Sequence, residues 1–357
     1  MIASESQGRY RSLQILRAVA AWMVFYHHFM QMYYNFEFET VTGYFFATFG
    51  GFGVDLFFVL SGFVMYFSAK NPHQTARDFI ADRILRITPA YWLYTIATII
   101  CIYLFPIEFQ FTGANIASVL YSMFFIPHSN PSGIGVFPTL TVGWTLNYEM
   151  FFYAILALSL LISKKFALTI CAAILLLLPA VYPKDIAFSE IASSHRLHAF
   201  LMGLIIASLI SAGRRFGEMS CKSRIALVLI TGSTATAIAF IAQDGSAKRT
   251  ALAGLLVCLT LLTEPIARLR FFVIEFLIKL GDASYSTYLV HTLVIGIILH
   301  FSGAPSDQFS IWLTIAAISL CIYLVSNASY TWIERNKYLS RRKRPYNSRR
   351  HLTEKVL

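Results

Sequence analysis

The sequence predicts an all-α integral membrane protein, built as a bundle of about ten transmembrane helices. Of its 357 residues, 57% are hydrophobic and only 13% are charged, and the mean hydropathy is +0.62. A soluble domain typically carries about 25% charged residues. Ten stretches of about 17–25 mostly apolar residues follow one another, each the length of a helix that crosses a bilayer. These observations exclude a soluble globular protein, a disordered chain and a coiled coil.

The predicted spans lie at 12–34, 50–69, 83–105, 143–163, 166–182, 197–212, 223–242, 249–265, 284–301 and 310–332. The first is expected to be a retained signal anchor, because no small-residue cleavage site follows it. The span at 249–265 has the weakest pattern of the ten. The segment 106–142 contains an apolar stretch too short to cross, so it is either an interfacial half-helix, which we favour, or a loop packed on the bundle.

Basic residues predict the orientation of these spans. With the N-terminus in the cytoplasm, 25 of the 29 Lys and Arg residues fall on the cytoplasmic side. Because short basic loops stay in the cytoplasm, both termini are predicted to be cytoplasmic. We expect a transmembrane domain over 1–335 and a basic cytoplasmic tail over 336–357. The tail is interpreted as an anchor beside anionic lipid rather than a segment that binds nucleic acid.

Ionisable side chains inside the spans are the candidate functional residues, since each costs about 2.5–3.5 kcal/mol to insert. Arg17 and His28 are eleven residues apart in the first span, so they share one helix face at a separation of about 16 Å. They are either a phosphate-binding group below a proton-handling group, or a snorkelling arginine and a hydrogen-bonded histidine. His27 lies about 100° around the helix and cannot serve the same site equally.

Two carboxylates are predicted at a depth similar to that of His28. Asp55 follows three glycines at the start of the second span and has no basic neighbour in sequence. It either has a partner on another helix or lies in the headgroup region. Glu149 lies just inside the fourth span, whose apolar body has no basic residue. Solvation explains such a carboxylate poorly, so it is interpreted as functional.

Two further pairs have the i, i+3 spacing that puts them on one helix face. Arg83 and Arg86 lie at the inner end of the third span. They either bind a phosphorylated cofactor or only anchor the helix. Tyr288 and His291 lie in the ninth span, where structural and functional interpretations are equally open. The sequence has no GxSxG, Walker, GxGxxG or HExxH motif, and its five cysteines form no metal-ligand spacing, so no metal is expected.

Five motifs together resemble the membrane-bound acyltransferase family 3, the multi-span enzymes that O-acylate bacterial surface and secreted polysaccharides. They stand in family order over most of the chain. They are R-x10-H (Arg17 to His28), GVDLFFVLSGF (Gly53 to Phe63), RILRITPAYW (Arg83 to Trp92), WTLNYEMFFY (Trp144 to Tyr153) and SYSTYLVH (Ser284 to His291). The length, without a fused extracellular domain, resembles the stand-alone exopolysaccharide-modifying branch.

The resemblance implies transfer of an acyl group, usually acetyl, from cytoplasmic acyl-CoA to a sugar hydroxyl at the outer side of the bacterial inner membrane. The acceptor would be a polysaccharide or lipid-linked oligosaccharide, and membrane lipid but no nucleic acid is expected as a further partner. By this resemblance His28 is the catalytic histidine, and Asp55 and Glu149 orient it or the acceptor.

The remaining candidate residues are expected to bind either the donor or the acceptor. Arg17, Arg83 and Arg86 would hold acetyl-CoA or another acyl-CoA. The residues expected to contact the acceptor are His27, Tyr288 and His291.

The acid–base chemistry agrees with this assignment. The acceptor hydroxyl must lose its proton as it attacks the thioester, and a neutral imidazole suits that task near neutral pH. A carboxylate behind the ring would fix its tautomer and stabilise the imidazolium, so we expect Asp55 or Glu149 to contact His28. An acyl-histidine intermediate is also compatible with the residues.

A transporter or flippase is the alternative function, with the buried histidines and carboxylates forming a proton path. No inverted repeat is evident, and basic residues at the inner end below a histidine fit a CoA donor better. A non-catalytic scaffold of a polysaccharide assembly complex is a third interpretation. Release of a thiol from acetyl-CoA distinguishes an enzyme from a carrier.

Overall fold

A computed structural model describes residues 10–37, 40–110, 112–181, 189–212, 245–303, 305 and 307–335. Within these ranges the chain is helical and forms no β-strand, only an isolated bridge between Ser129 and Val136. The all-α prediction is therefore confirmed for the described part of the chain. The predicted span 223–242 and the basic tail 336–357 lie outside it.

The described part of the chain contains fourteen α-helices. Their bounds are α1 Arg11–Tyr34, α2 Val41–Phe49, α3 Gly53–Lys70, α4 Ala76–Leu104, α5 Ile116–Met123, α6 Trp144–Ile162, α7 Ala167–Val181, α8 Ser189–Ala192, α9 Leu197–Ala212, α10 Gly245–Leu262, α11 Glu264–Ala267, α12 Phe272–Asp282, α13 Ser284–Ser302 and α14 Gln308–Ser329. Two 3₁₀ turns, Gly50–Phe52 and Thr141–Gly143, lead into α3 and α6, and a π-helical turn, Tyr330–Glu334, follows α14.

Among the described residues, six helical segments are long and apolar enough to cross a membrane. They are Val41–Lys70, Ala76–Leu104, Thr141–Ile162, Gly245–Leu262, Ser284–Ser302 and Phe309–Glu334. Each contains most of one predicted span, including the span with the weakest pattern, 249–265. Two shorter apolar helices, Ala167–Val181 and Leu197–Ala212, match two more predicted spans. The structure thus has the apolar helices of a multi-pass membrane protein, while the count of ten spans and the cytoplasmic termini stay predictions.

The segment 106–142 contains a short helix that packs on the bundle, while its interfacial position stays a prediction. Its α5 helix is only 8 residues long and begins at a capping box between Asn115 and Ser118. Exposed apolar side chains, including Ile116, lie along α5. The indole Nε1 of Trp92 on α4 donates a hydrogen bond to the Met123 carbonyl at 2.9 Å, which ties the short helix to the bundle.

The first turn of α1 is held by a carboxylate from α11. Glu264 accepts hydrogen bonds from the backbone N–H groups of Ser12, at 2.9 Å, and of Arg11, at 3.3 Å, where the helix dipole favours negative charge. The Arg11 guanidinium donates to the Ala267 carbonyl at 2.8 Å and to Glu275 at 2.6 Å. The hydrogen bond from Arg11 lowers the pKa of the Glu275 carboxyl from its ordinary value. These contacts fix the end of α1 that carries Arg17.

Helix α3 lies at the centre of the bundle and crosses α9 at a pair of glycines. A Cβ added to Gly62 would lie 2.1 Å from the Phe200 carbonyl oxygen, and one added to Gly203 would lie 2.1 Å from the Val59 oxygen. The two backbones therefore touch, which only glycine permits. This crossing fixes the position of α3, and with it the N-terminal turn that carries Asp55.

We predict that Gly62→Ala and Gly203→Ala each destabilise the bundle by about 1–3 kcal/mol, because a methyl group at either position forces the helices apart. The measurement is the temperature at which the detergent-solubilised protein aggregates, followed by size-exclusion chromatography. Gly245→Ala is the matched control, since no atom lies within 4 Å of its added Cβ. Equal aggregation temperatures for all three variants would contradict the close crossing.

Candidate active site

Two histidines from distant parts of the chain meet in the centre of the bundle. The Nε2 atom of His291 on α13 lies 3.2 Å from the Nδ1 atom of His28 on α1. His28 Nδ1 also lies 2.9 Å from the carbonyl oxygen of Val24, one turn earlier on the same helix. The His291 side chain is completely buried. The sequence placed both histidines in spans but did not predict that they pair.

This geometry determines which nitrogen of His28 carries the proton. The Val24 carbonyl can only accept a hydrogen bond, so His28 Nδ1 must be the donor. The nearby His291 Nε2 is then an unprotonated acceptor for the same N–H group. In the neutral ring, His28 Nε2 is left without a proton and keeps its lone pair for an incoming hydroxyl.

The free nitrogen of His28 is accessible. His28 retains partial exposure although α1 lies inside the bundle. Its Nε2 atom makes no hydrogen bond with the residues that the structure describes, and it is not among their buried, unpaired polar atoms. The site can therefore offer a base to a bound molecule.

His27 faces a different part of the structure. Its Nδ1 atom lies 3.1 Å from the Phe46 carbonyl, to which it donates, and its ring packs against Phe36 at 5.0 Å between centroids. A Cβ on Gly51 would lie 3.3 Å from His27 Nε2. The neighbouring histidines thus have separate surroundings, in agreement with the 100° argument. Contact between His27 and an acceptor stays a prediction.

Tyr288 positions the helices around the histidine pair. Its hydroxyl donates to the Val142 carbonyl at 2.9 Å and accepts from the Thr145 hydroxyl at 3.0 Å. Its single proton is therefore committed to the 3₁₀ turn before α6. Tyr288 and His291 lie one turn apart on α13, as predicted, but this hydroxyl joins α13 to α6 and has no proton left for a substrate.

Asp55 is paired with an arginine and does not make the predicted contact with His28. Arg249 on α10 contacts Asp55 Oδ2 through Nε at 2.8 Å and through Nη2 at 2.6 Å. A Cβ on Gly53 would lie 2.3 Å from the Ala20 oxygen, so Gly53 faces α1. Asp55 is two residues further, about 200° around the helix, and points away from α1. The prediction that its partner comes from another helix is confirmed.

Glu149 has partners other than the predicted His28. It accepts hydrogen bonds from the Ser61 hydroxyl at 3.1 Å and from the Tyr153 hydroxyl. Thr145, one turn earlier on α6, contacts the Tyr288 hydroxyl. Glu149 is therefore held by α3 and by its own helix, and its depth relative to that of His28 stays a prediction.

Two of the three arginines predicted to bind a donor, Arg17 and Arg86, lie near one carboxylate. Arg17 Nε donates to the Ser284 hydroxyl at 3.2 Å. Arg17 and Arg86 both lie within electrostatic range of Glu334. Arg83 lies within range of Tyr153, and its buried Nε makes no hydrogen bond among the described residues. Arg17 and Arg86 therefore lie near the same carboxylate, while donor binding by the three arginines stays a prediction.

Sequence reasoning missed two partners in this site. Neither Arg249 nor Glu334 was among the candidate residues. Ser286, in the SYSTYLVH motif, donates a hydrogen bond to Glu334 at 2.6 Å. An acidic residue directly after an apolar span was the available signal for Glu334.

An arginine and an aromatic ring lie at the other end of α6. The Arg196 guanidinium stacks on the Trp144 ring at 4.5 Å and lies within electrostatic range of Asp55. The described residues contain no group of three or more His, Cys, Asp or Glu side chains able to hold a metal ion. The side chains of this site can act as acids, bases and electrostatic groups.

Comparison with known proteins shows the family of the chain. A family model for acyltransferase 3, described as an acyltransferase domain, matches residues 10–328. The chain belongs to this acyltransferase family. It is also 33% identical, over 289 residues, to the exopolysaccharide production protein ExoZ of Rhizobium meliloti (strain 1021), covering 78% of this chain and 88% of that protein. No solved structure matches the chain.

In this acyltransferase, the five motifs recognised in the sequence occupy connected positions. The R-x10-H motif carries Arg17 and His28, and SYSTYLVH contacts both of them through Ser284 and His291. Helices α1 and α13 therefore run side by side in the same direction. Their contacts join the arginine cluster to the histidine pair.

We predict that His291→Leu lowers kcat for acyl transfer by about 10- to 100-fold, because it removes the acceptor that stabilises a protonated His28. His291→Gln, whose amide oxygen can accept the same hydrogen bond, should retain more activity than His291→Leu. The assay compares kcat and KM at equal amounts of folded protein. Full kcat in His291→Leu would show that the pair has no part in transfer.

Proposed function

We propose that the protein is an O-acyltransferase that transfers an acyl group, in the simplest case acetyl, from cytoplasmic acyl-CoA to a sugar hydroxyl of an exported polysaccharide. The accessible Nε2 atom of His28, three turns along α1 from an arginine cluster, is the observation that carries the proposal. Family membership supports acyl transfer, and the ExoZ relative supports exopolysaccharide as the acceptor. The proposed location is the bacterial inner membrane.

The donor binds from the cytoplasmic end in this proposal. Arg17, Arg83 and Arg86 neutralise phosphate groups of the donor, which guanidinium groups bind in bidentate geometry. Arg17 and His28 are about 16 Å apart along the helix, so the thioester must be carried on an extended arm. The arm passes the level of Glu149, where that carboxylate and the Tyr153 hydroxyl are the nearest polar groups of α6.

The chemical step uses His28 as general base and then as general acid. The Nε2 atom takes the proton of the sugar hydroxyl while the sugar oxygen attacks the thioester carbonyl carbon. The tetrahedral intermediate collapses with cleavage of the carbon–sulfur bond, and Nε2 returns the proton to sulfur. The products are the sugar ester and free thiol. His291 acts as a positioning residue, because its Nε2 atom accepts from His28 Nδ1 throughout the cycle.

The acceptor approaches from the opposite end of α1. Two contacts lie on this side: the Arg196 guanidinium stacked on the Trp144 ring, and the ion pair between Asp55 and Arg249. In this mechanism Asp55 holds Arg249 in place and does not touch the base. The segment 106–142 belongs to the same predicted side, and we assign it a part in acceptor recognition. A chimera in which this segment is exchanged should change acceptor preference.

We predict that His28→Ala abolishes transfer of labelled acetyl from acetyl-CoA to glycan in inside-out membrane vesicles, with a loss of at least about 100-fold. His27→Ala is the matched control, because its imidazole is bound to the Phe46 carbonyl outside the histidine pair. It should retain transfer at equal protein abundance.

Thiol release is measured in the same vesicles. Loss of transfer only in His27→Ala would move the base to that residue. Acceptor movement without thiol release, in wild type and both variants, would favour a transporter over an acyltransferase.

A further inference from the structure

Two arginines lie on the predicted outer side of the protein, where basic residues are rare. Of the 29 Lys and Arg residues, 25 fall on the predicted cytoplasmic side, and the four others are Lys184, Arg196, Lys248 and Arg249. The segment 106–142, assigned to the same outer side, contains no Lys or Arg. Because basic residues beside a span favour the cytoplasmic side, we expect the exceptions to have a function.

The Arg196 guanidinium is stacked on an aromatic ring and has no charged partner. Its Cζ atom lies 4.5 Å from the centre of the Trp144 ring. The residue is exposed, and its side chain forms neither an ion pair nor a hydrogen bond with the part of the chain that the structure describes. Stacking on a ring leaves the N–H groups of a guanidinium available to a carboxylate or phosphate. It also holds the side chain in place before an anion binds.

Arg249 lies along the same side of α3. It contacts Asp55 Oδ2 through Nε at 2.8 Å and through Nη2 at 2.6 Å. Asp55 and Phe58 are three residues apart and share one face of α3. The Phe58 ring packs edge-on against the Trp144 ring, with 6.4 Å between centroids. The ion pair of Arg249 and the ring that carries Arg196 are therefore joined by one turn of α3.

The exposed surface of this site is positive. The Asp55 side chain is only 8% exposed, compared with 46% for Arg249, so the carboxylate balances Arg249 from the buried side. Glu190 is the residue whose carbonyl accepts from the Tyr148 hydroxyl at 3.3 Å, and its carboxylate pairs with neither arginine among the described residues. Two guanidinium groups thus face one buried carboxylate, and the excess charge attracts an anion.

The site is connected to the histidine pair by direct contacts. Thr145 follows Trp144 in α6, and its hydroxyl donates to the Tyr288 hydroxyl at 3.0 Å. The Tyr288 ring lies 5.7 Å from the His291 ring, between centroids, and His291 contacts His28. A molecule bound beside Trp144 is therefore held close to the residues that position the proposed base.

We propose that Arg196 and Arg249 bind an anionic group of the acceptor, so that the enzyme acts on a charged acceptor rather than a neutral one. This inference rests on the proposed function and names the charge class of its acceptor. The anion is a carboxylate on a sugar of the glycan or a phosphate of a lipid carrier, since guanidinium groups bind both. Once the anion is bound, a neighbouring sugar hydroxyl is directed to Nε2 of His28.

The test is acetyl transfer from labelled acetyl-CoA by the full-length protein in lipid nanodiscs, where both faces of the protein are accessible. The acceptors are lipid-linked oligosaccharide from cells that lack the protein, the free oligosaccharide released from it by mild acid, and that oligosaccharide after reduction of its carboxylates to alcohols. In the wild-type protein, the step that removes the bound anion should raise KM for the acceptor by about 10-fold. A rise on release from lipid identifies a phosphate, and a rise on reduction identifies a carboxylate. Equal KM for all three acceptors overturns the proposal.

Arg196→Gln is the principal variant, because the side chain is exposed and the change leaves no buried charge unpaired. It should raise KM for the charged acceptor by about 10-fold, leave KM for acetyl-CoA unchanged, and have no further effect once the anion is removed. Arg196→Lys keeps the charge but not the planar fork and should give a smaller rise. An equal KM for the charged acceptor in Arg196→Gln and the wild type contradicts the assignment.

Two further variants test Arg249 and the effect of charge in general. Arg249→Gln alone would leave Asp55 buried without its partner, so it is combined with Asp55→Asn. The double variant should raise KM for the charged acceptor while its size-exclusion profile matches that of the wild type. Arg268→Gln is the matched control, since it removes an exposed arginine paired with Glu264 at 3.2 Å, near the start of α1. An equal rise in Arg268→Gln would show a general charge effect and overturn the assignment.

Failure of the inference and failure of the proposed function give different results. If the wild-type protein transfers acetyl with a KM that does not depend on the charge of the acceptor, the acyltransferase proposal stands and the anion site is rejected. If it neither releases a thiol from acetyl-CoA nor transfers acetyl to any of the three acceptors, the proposed function fails and the inference fails with it.

Discussion

The N–H group of His28 Nδ1, placed between the Val24 carbonyl and His291 Nε2, is the interaction on which the site depends. It fixes the tautomer of His28, and so decides which nitrogen is free. A histidine base is often oriented by a carboxylate, but here a second neutral imidazole has that position. A buried imidazole adds no permanent charge to the middle of the bundle, where an unpaired carboxylate would be costly.

The structure separates two kinds of chemistry along the pair of helices α1 and α13. Positive charge and its counter-ions gather where Arg17 contacts Ser284, and proton transfer is assigned to the level where His28 contacts His291. Tyr288 stands between the two levels and fixes α6 against α13. In the proposed function, a donor that reaches both levels is long, charged at one end and uncharged at the other, as an acyl-CoA is.

Most residues of the site could be predicted from the sequence, but few of their partners could. The helical class followed from composition, and the arginine cluster and the two histidines followed from ionisable groups inside apolar spans. Pairing did not follow, because Asp55 and Arg249 are 194 positions apart and their contact depends on how α3 is rotated. The partners of Glu149 depend in the same way on how α6 packs against α3. Glu334 was missed because a regular period cannot show the extra residue of a π-turn.

The helix that ends in this π-turn has little protein around it. Only 17% of the apolar window of Phe309–Glu334 is buried inside the bundle, compared with 72% for the segment that contains α3. Most of its side chains therefore exchange one lipid contact for another when the helix tilts or shifts, which costs little. Bilayer thickness and lipid order are therefore variables that act on the tilt of this helix more than on the rest of the bundle.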